Sequence, residues 1–480
     1  MNVRASAIGL AVAFLVTTSA VLAADRLVPS EYSTIQAAID AAVDGDTIIV
    51  SQGTYHESID SNDKSFILTS TDPNDPNVVA GTVIDADGSR SVIILTDTPG
   101  AECVLAGLTI TGGEDSDEGG GVCCEDGTLT IRNCVFSGNI AEDGGGIFND
   151  SGSLTVINCT FSENEADGGH GGGIYSVSGE LTLINCTFTG NSATLEGGGV
   201  ATDYKTVIVT NCTFSGNSAD YGGGMNNSHF GATATNCLFI GNSADEHGGA
   251  VCIKTLDEQG GETLRLTNCT FSGNSADEYG GAVCYRYEGD LTLTNCILWG
   301  NNASKEGPQV AMLYPGTASI RYCCLQGGES DVHAPLAVVN FYDIISDDPC
   351  FADEPGGDYH LLSSAGRWDA NTSVWVTDDN NSPCIDAGDP NSDWTAELWP
   401  HGKRVNIGAF GGTPQASMSE SEVGNIADLD PNGSVNWGDL KILTNKWFVE
   451  ELLLSEDLNR DGTVNSKDYA VFANNWAWEQ

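Results

Sequence analysis

The chain has 480 residues, 67 of them acidic and 18 basic, for a formal net charge of −49. So acidic a chain argues against nucleic acid as a partner, because phosphate neutralisation needs clustered Lys and Arg. With 59 Gly and only 8% aromatic residues it also argues against a helical bundle, and for many tight turns spread over two or three domains.

The N-terminus reads as an export signal over residues 1–23. Arg4 supplies the basic start, residues 7–16 are an apolar core too short to span a bilayer, and Val21, Leu22 and Ala23 offer small residues for cleavage. No later stretch is long and apolar enough for a membrane span, so the expected location is outside the cell, secreted or held at its surface.

Residues 32–59, "YSTIQAAIDAAVDGDTIIVSQGTYHESI", come next. Ser33 and Thr34 cap a short amphipathic helix carrying Ile35, Ala38, Ile39 and Val43, and the turn Asp44-Gly45-Asp46 leads into a strand over residues 47–50. Such a helix suits the open end of a stacked-strand protein, where apolar strand edges need cover. The stretch resembles the start of many pectin-lyase-like proteins, a superfamily that includes pectin esterases and polysaccharide lyases. The resemblance implies the fold and not an activity.

A repeat follows. Asn-Cys recurs at 133, 158, 185, 211, 236, 268 and 295, in steps of 25, 27, 26, 25, 32 and 27 residues, with degenerate copies at Glu102-Cys103 and Tyr322-Cys323. An alternating "LTL"-type run precedes each Asn. Phe136, Phe161, Phe188, Phe214, Phe239 or Phe271 lies two after the Cys, and Asn139, Asn164, Asn191, Asn217, Asn242, Asn274 or Asn301 lies five after it. A Gly run then precedes an apolar residue such as Ile147, Val200 or Val283. A period near 26 with strand alternation and no helix predicts an all-β fold, a right-handed parallel β-helix of about nine coils over residues 24–345. Phe and Cys are expected as inward stacks. The Asn before each Cys suits a left-handed turn and a ladder of side-chain hydrogen bonds inside it. On that reading the sequons at Asn158, Asn185, Asn211 and Asn268 are turn-buried by-products of the ladder. The repeats are similar to the FxxN and GGA repeats of chlamydial polymorphic outer-membrane proteins, which are adhesins; Phe271-Ser272-Gly273-Asn274 and Gly280-Gly281-Ala282 carry both halves.

Sixteen Cys are present. Nine fall in the ladder column, and Cys123, Cys252 and Cys284 share a second column. In-register Cys on neighbouring coils have parallel Cβ vectors, so buried thiols are expected there, while Cys350 and Cys384 outside the ladder form the candidate disulfide. Residues 347–362, 382–390 and 406–412 ("DDPCFADEPGGDYHLL", "SPCIDAGDP", "NIGAFGG") resemble the choice-of-anchor Q segment that ends many exported β-helix proteins; the matching segment is taken as residues 346–412.

A polar linker over residues 413–424 leads to two matching loops. The first offers Asp428, Asp430, Asn432, the Ser434 carbonyl, Asn436 and Asp439; the second offers Asp457, Asn459, Asp461, the Thr463 carbonyl, Asn465 and Asp468. Hard oxygens at positions 1, 3, 5, 7, 9 and 12, with Gly433 and Gly462 at position 6, make EF-hand-like calcium loops, each followed by a helix. Residues 425–480 resemble a type I dockerin, which implies calcium as cofactor and a cohesin-like partner.

Function is sought in the positions that vary between coils. Tyr175, Asp203, Tyr204, Lys205, His229, Lys254, Tyr285, Arg286 and Tyr287 follow the Gly-run strand and mix bases with aromatics, as a sugar-binding wall does. An acidic column, including Glu142, Asp143, Glu196, Glu246 and Glu278, precedes the Gly run. No catalytic residue is assignable. The leading expectation is an exported, non-catalytic or weakly catalytic protein that binds extracellular polysaccharide or a cell surface, tethered by its calcium module. The alternative is a polysaccharide lyase or glycoside hydrolase.

Overall fold

The computed structural model describes residues 23–95, 102–115, 117–229, 231–254, 263–421 and 423–480. The expected export signal, Ala23 apart, lies outside the described residues. Parallel strands stack into a solenoid with sheets of 13, 11, 11 and 7 strands. We call these sheets I to IV in that order. A complete coil contributes a strand to sheet I (for example Leu181–Ile184), then to III (Thr187–Thr189), IV (Ser192–Ala193) and II (Val200–Asp203). The 11-stranded sheets make about eleven coils, where the sequence suggested nine. The first coils, with strands Asp46–Val50 and Phe66–Ser70, carry no Asn-Cys pair and so escaped the count.

Period-2 alternation fills the interior. Phe136, Phe161, Phe188, Phe214, Phe239 and Phe271 form one continuous stack with centroids 4.7–4.8 Å apart and rings within 7° of parallel. That separation is the strand spacing of a sheet. A Cys ladder runs beside it from Cys134 to Cys323, buried throughout. It holds eight thiols and not nine: Cys103 is in register with Leu129 on sheet I, and Leu108 takes the ladder position in that coil. The Gly runs sit where coils approach most closely. A Cβ on Gly145 would lie 2.3 Å from the Glu165 carbonyl oxygen of the next coil.

Two Asn ladders run along the axis. The buried one joins Asn139, Asn164, Asn191, Asn217, Asn242, Asn274 and Asn301, each Nδ2 before the last donating to the next Oδ1 at 2.8–3.0 Å. The Asn that precede each Cys do adopt left-handed backbone, with φ between 49° and 55°. Their ladder, however, lies on the outer surface: Asn158, Asn185 and Asn211 are exposed. Burial therefore does not shield these three sequons, contrary to expectation.

Helix α1 (Ile35–Ala41) caps the N-terminal end, with Thr34 Oγ1 accepting from Ala37 N at 3.1 Å and Ile35, Ala38 and Ile39 buried in the main core. A second short helix, α2 (Pro76–Gly81), packs on the outside of an early coil. Beyond the last solenoid strand, Val338–Tyr342, the chain folds back along the outer face of sheet III. Its Ala409 N donates to Thr270 Oγ1 at 3.0 Å, and Asn236 Nδ2 donates to the Ala409 and Gly411 carbonyls. The linker expected over residues 413–424 is shorter than that. Ala416, Ser417, Met418 and Ser419 are buried, and Ser417 Oγ donates to the Leu361 carbonyl at 2.6 Å.

Residues 425–480 form two loop–helix units with α3 (Trp437–Asn445) and α4 (Ser466–Asn474), sharing a small core of Ala427, Val435, Leu443, Leu458, Val464 and Phe472. Each calcium-type loop pairs with the segment beyond the other unit's helix, Ser434 with Glu479 and Thr463 with Glu450. Among the described residues no helix is long and apolar enough to cross a membrane.

Candidate functional site

The outward-facing positions of sheet II fall into columns because its strands are in register. Phe148, Tyr175, Ala201, Asn226, Cys252 and Cys284 align in one column; Asp150, Val177, Asp203, Ser228 and Lys254 align in the next. The first column is outward yet buried, because Tyr221, Tyr279 and their neighbours before each Gly pair fold over it. The result is a polar and aromatic layer over the sheet, in three clusters.

In the first cluster the Tyr175 hydroxyl donates to Asp203 Oδ2 at 3.0 Å. Burial, with Asp203 beside it, pushes the Tyr175 phenol far up. Asp203 Oδ1 lies 3.4 Å from His229 Nδ1, and neither atom has a well-formed hydrogen bond. The His229 ring stacks on Tyr204 with centroids 4.2 Å apart, and both residues sit at positive φ where their turns leave the strand. Lys205 is exposed beside them.

The second cluster centres on Glu196, whose carboxylate is buried. Its Oε1 meets Lys254 Nζ at 2.7 Å, its Oε2 accepts from Asn226 Nδ2 at 2.9 Å and Ser228 Oγ at 3.0 Å, and His170 Nδ1 lies 3.7 Å away. A buried charge needs this set of partners. In the third cluster the Arg286 guanidinium lies 4.0 Å over the Tyr221 ring while the Tyr221 hydroxyl donates to Glu246. Burial and that bond push the Tyr221 phenol up to about 12. Tyr287 stacks on Tyr314 at 5.3 Å, and His247, pushed down by burial and by Arg286, sits between Tyr221 and Tyr279. Glu278 is held ionised by Lys305 at 2.5 Å.

Eight of the nine sequence candidates therefore share one face. Tyr285 does not: strand alternation turns Cys284 outward and Tyr285 inward, where it is wholly buried in the main core. Glu196, one of the acidic column before the Gly run, is buried at the centre of the second cluster. His170, Tyr221, Asn226, Ser228 and His247 were missed, although the alternation within each strand after the Gly pair signals the outward Asn226 and Ser228.

The two calcium-type loops are built alike. Asp428 accepts from Asn432 N at 3.1 Å and Gly433 N at 2.9 Å; Asp457 accepts from Asp461 N at 3.1 Å and Gly462 N at 2.7 Å. Gly433 and Gly462 take φ of 86° and 83°, which favours Gly at the bend. Asn436 with Asp439, and Asn465 with Asp468, close capping boxes on α3 and α4. Carboxylate oxygens of Asp428, Asp430 and Asp439 come within 4.8 Å of one another, and burial together with Asp439 pushes the Asp428 carboxyl up. A divalent cation would relieve that crowding, so the first loop's residues fit it. In the second loop Asp461 is instead engaged by Lys467 Nζ at 2.5 Å.

The disulfide expected between Cys350 and Cys384 is not formed. Cys384 is fully buried against Cys324, Leu361 and Ile407, while Cys350 sits on a left-handed turn with its Sγ donating to the Asp348 carbonyl.

Residues 91–298 match the family model described as a right handed beta helix region. Residues 331–388 match a second model, described as disaggregatase related. The crystal structure of pectate lyase Pel9A is similar to this chain at 14% identity, covering 78% of this chain and 90% of that one with a TM-score of 0.42. The comparison with curated proteins gives no match.

Proposed function

We propose that this is an exported, non-catalytic β-helix protein that binds extracellular polysaccharide along the outer face of sheet II and is tethered through residues 425–480. The observation that carries the reading is the alignment, coil after coil, of rings with fixed polar groups: exposed Tyr204 stacked on buried His229, the Glu196–Lys254 centre, and half-exposed Tyr287 stacked on exposed Tyr314. Amphipathic rings beside pre-paired polar groups suit a sugar ring, one face apolar and the edge hydroxylated. The C-terminal module is read as dockerin-like. Calcium would be held in its first loop by Asp428, Asp430, Asn432, the Ser434 carbonyl and Asp439, and would organise a surface for a cohesin-like partner.

A lyase or glycosidase is the second reading, and the buried Glu196 beside Lys254 and His170 favours it. Against it, the Tyr175 and Tyr221 phenols are both pushed up, away from service as bases near neutral pH. A broad panel of plant, algal and bacterial polysaccharides tested with the full chain in calcium decides between them. Saturable binding weakened about tenfold by Tyr204→Ala or Tyr287→Ala, a loss of about 1.4 kcal/mol, supports the binding reading. No binding across the panel overturns it. Steady growth of the ultraviolet band of unsaturated uronate products would move the assignment to a lyase.

A further inference from the structure

We infer that Cys324 and Cys384 form a disulfide that staples the returning end segment to the last coils of the solenoid. The adjacent cysteines Cys323 and Cys324 part company because strand side chains alternate. Cys323 joins the inward ladder, whereas Cys324, on the strand Cys324–Leu325, is in register with Ile297 and faces outward. The end segment covers that outward column: Gly408 N donates to the Asn295 carbonyl at 2.8 Å, and Ala409 N to Thr270 Oγ1 at 3.0 Å. Cys384 arrives from this covering layer. Both cysteines are completely buried and share one apolar cluster with Ile297, Leu361 and Ile407, the Cys324 thiol donating to the Asp347 carbonyl at 3.3 Å.

The backbone on both sides is fixed. Cys324 N donates to the Cys296 carbonyl at 2.8 Å; Cys384 N donates to Ser382 Oγ at 3.1 Å, and its carbonyl accepts from Ile407 N at 2.9 Å. This differs from the ladder thiols. Cys134 and Cys159, in equivalent turns of adjacent coils, and Cys252 and Cys284, on adjacent parallel strands, are stacked in register with side chains pointing the same way, which a disulfide's dihedral does not accommodate. Cys324 and Cys384 approach from two facing layers. The bond forms by thiol–disulfide exchange with an external disulfide: each thiol gives up its proton, the two sulfurs join, and the electron pair reduces the external disulfide to two thiols. Closure of the 60-residue span between them constrains the unfolded chain most where the end segment must find the solenoid.

The test uses the full chain refolded in a mixture of oxidised and reduced glutathione, denatured without reductant, alkylated and digested. The expected result is one cross-linked peptide pair joining Cys324 to Cys384, alkylation of the other thiols, and a melting temperature several degrees lower after reduction. A Cys324→Ser chain should lose both the linked peptide and the reductant-sensitive shift. A Cys350–Cys384 peptide, or alkylated Cys324 and Cys384 in protein that has regained its β-sheet spectrum, overturns the inference. If Cys324→Ser fails to refold, Cys350→Ser decides the matter: it should leave the Cys324–Cys384 peptide intact.

Discussion

At the scale of single residues, the same amino acid does opposite jobs six positions apart. Asn217 is fully buried. Its Nδ2 donates to the Phe188 carbonyl and to Asn242 Oδ1, while its Oδ1 accepts both the amide N–H and Nδ2 of Asn191. Asn211, six residues earlier, donates to Asn185 in full view of solvent. Removing a buried partner leaves the others unsatisfied at a cost of about 1–3 kcal/mol, whereas water replaces an exposed one. Asn217→Ala is therefore expected to destabilise the solenoid by about 3 kcal/mol and Asn211→Ala by under about 1 kcal/mol. Thermal melts of both variants measure this, and equal shifts would refute the division of labour between the two ladders.

At the scale of elements, the two calcium-type loops share a frame but not a charge balance. Lys467 occupies Asp461 in the second loop, and among the described residues only the first brings three carboxylates together. Calcium is expected to fill the first loop more tightly, and Lys467→Ala to tighten the second several-fold; two-site calorimetry reads both. Chelation should diminish the helical signal of α3 and α4, and an unchanged spectrum would remove calcium from the account. These loops were legible in the sequence because ligand spacing in a short loop is local. So were the Phe stack and the buried Asn column, because a 26-residue period repeats the same side-chain environment. Cys103 was misplaced because "EC" looks like a worn copy of "NC", and only strand register shows Leu108 in the ladder. The Glu196–Lys254 pair stayed hidden because its members lie 58 residues apart, and nothing local marks Glu196 as turned inward under its neighbours.

At the scale of the whole molecule, solenoid and end segment are held together partly by one carboxyl group. Glu397 is almost wholly buried, and its Oε1 accepts from Asn406 N and Gly412 N, both at 2.8 Å. Those bonds shape the loop whose Ala409 and Gly411 carbonyls receive Asn236 and Asn268 of the coils. Burial pushes the Glu397 carboxyl up to about 8, from an ordinary 4.5, and Asp386 adds to the rise. Because the folded value lies above the unfolded one, the folded chain binds the extra proton between them. Stability from this group is then complete below the unfolded value and is lost as pH rises from about 4.5 to about 8, by an amount on the order of 5 kcal/mol. Glu397→Gln keeps the oxygen acceptor and removes the titration. The wild-type melting temperature should fall relative to that of the variant between pH 5 and 8.5, with the two closest at the acid end. The loss should also appear first as faster amide exchange at residues 406–412, while the Phe-stacked coils stay protected. Parallel melting curves across that range would show that Glu397 does not titrate in the fold.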